Sequence, residues 1–190
     1  MLSSITQRLG DALLSHEASH GDDVLSVQPD GILAALRMLR DDPEFGFDLL
    51  SDLFGMDYGV DGTEGRMAPA RFAVVYQLTS LPHLRRVRLK AFLPEEAPEI
   101  DSAAGLWPSA EWLEREAYDL FGIRFRNHPD LRRILLPDGY DGHPLRKDYP
   151  VQGRGERNAF PKYTTQTPLG DLVDEALGGP GGHSGKERLA

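Results

Sequence analysis

Three residues near the start of the chain have the types and spacing of a zinc-dependent hydrolase. His16, Glu17 and His20 form the pattern H-E-x-x-H. On a helix the two histidines would lie one turn apart and could share a metal, with Glu17 as general base. The extended pattern fails, because Asp23 and Ser26 occupy the places of its glycine and third histidine. We interpret the segment as the polar end of a first helix and keep the hydrolase as a remote alternative.

Three acids further along could in principle support acid–base chemistry. Glu114 and Glu116 are two residues apart, so on a helix they point to nearly opposite sides and cannot flank one scissile bond. Glu116 and Asp119 could share a site, but the Glu-x-x-His pattern of a di-iron site is absent. We therefore expect these carboxylates to bind arginine side chains and not to catalyse a reaction.

The segment after these acids is rich in basic residues, namely Arg124, Arg126, Arg132, Arg133, Arg146 and Lys147. A guanidinium group can hold a carboxylate through two parallel hydrogen bonds, and it does so best in partly dry places. We predict that one of the three acids pairs with Arg132, Arg133 or Arg146. Such a network could fix the path of an irregular segment; the alternative is a solvated basic loop.

Composition excludes several classes of protein. The 190 residues include no cysteine, which excludes disulfides, thiolate nucleophiles and cysteine-bound zinc or iron–sulfur clusters. The net charge of −9 argues against nucleic acid as a partner. No dinucleotide fingerprint is present, and no apolar run is long enough to span a bilayer. We expect an intracellular protein, because the start of the chain has no export signal.

Hydrophobic periodicity predicts an α+β fold in two layers. The predicted elements are a first helix that Gly21 ends, a helix over residues 29–41, a helix over residues 109–121 capped by Ser109, and strands over residues 23–28, 45–53, 72–78 and 87–93. The last two strands should form an antiparallel pair, since their connector is short. We expect a mixed, mostly antiparallel sheet with helices on one face.

The chain also divides by composition. We predict a core domain over residues 1–122 and a loop region rich in arginine and proline over residues 123–150. An extended, irregular arm over residues 151–190 should bind partners, and its end has the composition of a disordered tail.

Two motifs in the second half of the chain stand out by their residue types and spacing. The first motif consists of Glu114, Arg115, Glu116, Asp119, Leu120, Phe121, Gly122, His128, Pro129, Arg132 and Arg133. The second, closing motif consists of His143, Pro144, Arg146, Lys147, Asp148 and Tyr149. Together with a strand motif over residues 50–58, which includes Asp57 and Tyr58, they resemble the 30 kDa-type subunit of respiratory complex I, a proton-translocating NADH:quinone oxidoreductase.

This resemblance implies a subunit of the peripheral arm, on the cytoplasmic side of the inner membrane, with no catalytic activity of its own. FMN, iron–sulfur clusters, NADH and quinone would be carried by partner subunits. The implied partners are the 49 kDa-type subunit and the cluster-bearing subunits near the quinone site. The alternative is the equivalent subunit of a related energy-converting hydrogenase, since such complexes share this module.

Overall fold

In the part of the chain that the structure describes, a five-stranded mixed sheet is accompanied by three α-helices. The computed structural model describes residues 2–59 and 68–155. The helices are α1 (Leu2–Leu9), α2 (Ile32–Asp41) and α3 (Ala110–Phe121). The strands are β1 (Leu13–Ser19), β2 (Asp22–Val27), β3 (Leu49–Asp57), β4 (Phe72–Ser80), β5 (Arg85–Leu93), β6 (Glu99–Asp101) and β7 (Arg124–Arg126).

The strand order is β1-β2-β5-β4-β3, and only the central β2–β5 pair of this sheet is parallel. This confirms the mixed, mostly antiparallel sheet, and β4 and β5 form the predicted antiparallel pair. Strands β6 and β7 pair in parallel and form a separate two-stranded sheet. No helix among the described residues is both long and apolar enough to cross a bilayer.

The first hairpin differs from the prediction. Helix α1 ends at Leu9, and residues 13–19 form an edge strand instead of continuing the helix. His20 and Gly21 both have positive φ angles, 53° and 85°, which is the geometry of a two-residue hairpin turn. The helical spacing of Ala12 and Leu13 was misleading, because pairing with β2 satisfies this backbone as a strand.

Strand β3 also begins later than predicted. Phe45 and Phe47 are fully buried, but Phe45 lies in a turn and Phe47 in the irregular segment between this turn and the strand. Gly46 has a positive φ of 56°, and its N–H donates to Asp42 O, so the chain turns before it extends. The predicted loop over residues 59–70 lies mostly outside the described residues, as does the arm beyond residue 155.

One face of the sheet packs against the helices. Alternate residues of the two long central strands are buried in a single core, namely Phe72, Val74, Tyr76, Leu78, Val87, Leu89, Ala91 and Leu93. They meet apolar side chains of α2 and α3, such as Leu36 and Ala117. This arrangement confirms the two-layer α+β fold.

Helix α3 ends as predicted but starts differently. Gly122 has a φ of 74°, and its N–H donates to Tyr118 O, so a left-handed residue closes the helix. Ser109, however, makes no side-chain capping bond, and its backbone is already helical. The predicted Ser109 cap is therefore wrong, because preceding turns lead directly into the helix.

Candidate functional site: the polar network around helix α3

Helix α3 turns three charged side chains into the protein. Glu114 and Asp119 are fully buried and Arg115 is nearly so, whereas Glu116 is exposed. Positions 115 and 119 are one turn apart, whereas position 114 lies about 140° from position 119 around the helix axis, so the buried side chains face different parts of the interior. The three buried groups need internal partners, since a buried charge without one is costly.

Asp119 holds the irregular segment after β7. Its Oδ2 accepts the backbone N–H groups of Ile134, Leu135 and Leu136 at 3.0, 2.8 and 2.8 Å. Its Oδ1 accepts a hydrogen bond from Arg133 Nη1 at 2.8 Å. Burial raises the pKa of Asp119, but these donors together lower it below its ordinary value. The side chain is therefore an anion that fixes the path of this segment.

Two arginines bind carbonyl groups of the same segment. Arg115 donates from Nε to Arg132 O and from Nη2 to Arg133 O, both at 3.1 Å. Arg133 also donates from Nη2 to Gly142 O at 3.2 Å. Because a guanidinium presents its donors as a rigid fork, each arginine connects separate points of the chain.

One of the predicted acid–arginine pairs is found among the described residues, that of Asp119 with Arg133. Arg132 instead pairs with Asp130 at 2.8 Å, and 72% of its side chain is exposed. The expectation that Arg132 could join the buried network through its guanidinium is wrong. Its carbonyl group faces α3, where it accepts the hydrogen bond from Arg115.

The closing motif packs on the C-terminal end of α3. His143 Nδ1 donates to Asp119 O at 2.9 Å, and Arg146 Nε donates to Phe121 O at 2.6 Å. Basic side chains are favourable here, since the last carbonyl groups of a helix lack partners within it. A Cβ atom on Gly122 would meet Arg146 and His143 at 2.5–2.6 Å, so this position requires glycine for space as well as for its φ angle.

The backbone and rings of the remaining motif residues complete this contact. Leu145 N donates to Leu120 O at 3.1 Å, beside Pro144. The hydroxyl groups of Tyr149 and Tyr140 are hydrogen-bonded at 2.9 Å. The motif is therefore held along its length.

A second ion cluster connects the closing motif to the sheet. Arg71, directly before β4, donates from Nη2 to Asp57 Oδ2 at 3.1 Å and to Asp148 Oδ1 at 2.8 Å. It also pairs with Glu95. Asp57 Oδ2 accepts the N–H of Lys147 at 2.8 Å. Burial tends to raise the pKa of Asp57, but Arg71 and the backbone donors lower it.

Sequence reasoning missed Arg71 entirely. It lies 14 residues from Asp57 and 77 residues from Asp148, so no local sequence pattern predicts these pairs. The one signal was indirect: Asp57 and Asp148 both belong to the motifs that resemble a known family. A buried carboxylate at the end of a strand needs a positively charged partner, but only the fold shows which side chain provides the charge.

Glu114 has a different environment from Asp119. Its Oε2 accepts from Ser102 Oγ and its Oε1 from Ala103 N, both at 2.6 Å. His128 Nε2 lies 3.9 Å from Oε2, but it donates to Glu111 O at 3.0 Å. Burial raises the pKa of Glu114 to about 7, although the two donors oppose this shift.

The H-E-x-x-H segment does not form the helix that metal binding would need. It lies on β1 and the following turn, where four residues of extended chain span roughly 13 Å. His16 Nε2 is 3.0 Å from Asp23 Oδ1, and His20 Nδ1 is 3.0 Å from Ser19 Oγ. Within residues 2–59 and 68–155, no three His, Cys, Asp or Glu side chains are grouped to hold a metal. The geometric premise of the hydrolase alternative is therefore wrong.

Comparisons with known proteins agree with the motifs. The family model described as "Respiratory-chain NADH dehydrogenase, 30 Kd subunit" matches residues 25–155. The C subunit of the NADH-quinone oxidoreductase of Citrifermentans bemidjiense is 48% identical over 150 residues, which cover 78% of this chain and 87% of that protein. The protein of the same name from Aromatoleum aromaticum is 45% identical over 161 residues, covering 84% of this chain and 80% of that one.

Two solved structures are similar in fold. A trypsin-resistant fragment of Nqo5 is 33% identical, with a TM-score of 0.58, and the match covers 68% of this chain and 96% of the fragment. A chain of an archaeal membrane-bound sulfane sulfur reductase has a TM-score of 0.65 and covers 86% of this chain and 92% of its own, but at 17% identity it supports the fold alone. From the family model and the curated relatives together, we conclude that the chain belongs to the family of the 30 kDa subunit of the respiratory-chain NADH dehydrogenase.

Proposed function

We propose that the chain is the C subunit, of the 30 kDa type, of a proton-translocating NADH:quinone oxidoreductase and acts as a scaffold without redox chemistry of its own. The observation that carries this proposal is the family match over residues 25–155, together with curated relatives at 43–48% identity that are all named as the C subunit of an NADH-quinone oxidoreductase. The related hydrogenase-type complex has less support, because none of these relatives carries such a name.

The geometry of the motif residues suits a scaffold. Asp119, Arg115 and Arg133 direct their polar atoms at the chain's own backbone, where they shape residues 132–142. Groups bound in this way hold a surface in a fixed form, but they are not presented to a substrate. The chain also has no cysteine with which to bind an iron–sulfur cluster.

The partners we propose are the 49 kDa-type subunit and the cluster-bearing subunits, on the cytoplasmic side of the membrane. FMN, iron–sulfur clusters and the NADH and quinone sites would belong to them. Trp112, Leu135 and Leu145 support a contact surface on the motif region, because they are 60%, 60% and 50% exposed although large and apolar. Aromatic and apolar side chains of this kind are typical of the cores of protein interfaces. The arm over residues 151–190 would extend this contact.

Purification of the tagged chain from membranes tests the proposal. We expect the flavin-containing, NADH-oxidising subunits to co-purify, whereas hydrogenase subunits in their place would favour the alternative complex. Leu135→Ser should weaken co-purification while leaving the isolated chain folded. Leu84→Ser is the matched control, since Leu84 is 88% exposed but lies in the β4–β5 turn outside the motifs. Equal retention of partners by both variants would contradict the assignment of the surface.

A further inference from the structure

Glu114 is a fully buried carboxyl group to which none of the described lysines or arginines is paired. It receives two hydrogen bonds, and both donors, Ser102 Oγ and Ala103 N, are neutral. Asp119, five residues further along α3, is buried to the same extent but has a guanidinium partner. The two carboxyl groups are therefore in opposite situations within one helix.

Two further titratable side chains, one on β6 and one after β7, could supply a charge to Glu114. His128, after β7, accepts the N–H of Asp130 at Nδ1 and donates from Nε2 to Glu111 O, so its ring is bound as a neutral donor and acceptor. Asp101 on β6 is bound to Arg126 at 2.8 Å. None of these groups supplies a positive charge to Glu114.

Tyr76, on β4, completes the cluster. Its hydroxyl group is fully buried and has no hydrogen-bond partner among the described residues. Burial raises the pKa of Tyr76, and the negative charges of Glu114 and Asp101 act in the same direction. The Tyr76 hydroxyl is a neutral group, so it supplies no positive charge that would stabilise an ionised Glu114.

We propose that Glu114 is an internal proton-binding site: the carboxyl group whose two hydrogen bonds fasten α3 to the segment over residues 102–107 holds a proton in the folded chain. Removing an ionised carboxylate from water without a cation is unfavourable, and a neutral carboxylic acid avoids this cost. The carbonyl group of Ala103 accepts hydrogen bonds from Leu106 and Trp107, so the fastening extends to the turns that precede α3. Both hydrogen bonds of Glu114 are accepted by its carboxyl oxygens and persist after ionisation, so loss of the proton would act by placing an unpaired negative charge in the core, which destabilises the folded chain.

The expected pH dependence has a definite sign. The ordinary pKa of 4.5 applies to the unfolded chain, and burial raises that of the folded state to about 7. Between these values the folded chain holds a proton that the unfolded chain has released, so stability falls as pH rises, and the loss is complete above about 7. The resulting change in the folding equilibrium constant is about two orders of magnitude.

Infrared spectroscopy of the full chain tests the proposal directly. We expect a C=O stretch of a protonated carboxyl group that persists well above the pH at which ordinary glutamates ionise and disappears with a midpoint near 7. The band should be absent from Glu114→Gln and present in Glu116→Gln, the exposed neighbour on the same helix. If the parent chain has no such band at about pH 6, or if Glu114→Gln retains it, the proton is not on Glu114.

Urea unfolding of the parent chain and of Glu114→Gln from about pH 5 to about pH 8 gives the second measurement. Burial lowers the pKa of His143, so this residue makes stability rise with pH, opposite to Glu114. The readout is therefore the ratio of the folding equilibrium constants of the variant and the parent chain. This ratio should increase with pH, in favour of the variant, by up to about a hundredfold. If Glu114→Gln does not fold, the infrared band of the parent chain alone decides. A difference that stays constant with pH would overturn the proposal.

Discussion

Asp119→Asn is the substitution for which the structure predicts the clearest loss of stability. Asparagine has the same shape as aspartate, so packing should be preserved while one oxygen becomes an NH2 group. If that group replaces Oδ2, it meets three backbone N–H donors. If it replaces Oδ1, it meets the guanidinium of Arg133. Either orientation places donors against donors and leaves Arg133 without its carboxylate.

The magnitude follows from burial. Asp119 has no exposed side-chain surface and the side chain of Arg133 is 21% exposed, so solvent compensates for little of the loss. Removing one partner of a buried ion pair costs roughly 3–5 kcal/mol. For a domain of this size, that corresponds to a decrease in melting temperature of roughly 6–20 °C. Burial tends to raise the pKa of Asp119, but its donors lower it, so the parent chain should keep this stability near neutral pH and lose it only as pH falls through that lowered value.

Thermal and urea unfolding, followed by circular dichroism, measure the change. Arg132→Ala is the matched control, because Arg132 neighbours Arg133 in sequence but its ion pair with Asp130 is exposed. An exposed pair contributes at most about 1 kcal/mol. A double-mutant cycle of Asp119→Asn with Arg133→Met separates the pair energy from the three backbone hydrogen bonds. If Asp119→Asn destabilises the chain no more than Arg132→Ala does, the argument for a buried anionic anchor fails.

Three further predictions concern the same framework. Arg71→Met should lower the free energy of unfolding by roughly 3–5 kcal/mol near neutral pH, because it leaves the buried Asp57 without its cation. This loss should become smaller in acid, where Asp57 is protonated, and a loss that does not change with pH would contradict the prediction. Gly122→Ala should lower the free energy of unfolding by more than about 1 kcal/mol, since a φ of 74° is strained for alanine and the added Cβ would meet His143. Gly139→Ala is the control and should cost less, because Gly139 has a similar φ but open space around it. Residues 151–190 should be cleaved by trypsin in the free chain and protected in the assembled complex; equal resistance in both states would show that the arm does not depend on partners.

The sequence alone determined the fold class and much of the connectivity. Alternating large apolar residues over 72–78 and 87–93 predicted the two central strands, because burial of one face of a sheet requires that period. Gly122 marked the end of α3, since only glycine enters the left-handed region without strain. The types and spacing of the motif residues were enough to indicate the family, and the comparisons confirm it.

Only the tertiary structure decided how residues 13–20 fold and where the buried charges find partners. Apolar residues at helical spacing suggested a helix there, but hydrogen bonds to β2 make this segment an edge strand. Arg71 and Asp148 are 77 residues apart, so their contact depends on the path of the whole chain. The same holds for the contrast between Glu114 and Asp119, which lie five residues apart on α3. Their protonation is set by which distant donors the fold brings to each carboxyl group, and sequence spacing does not encode that choice.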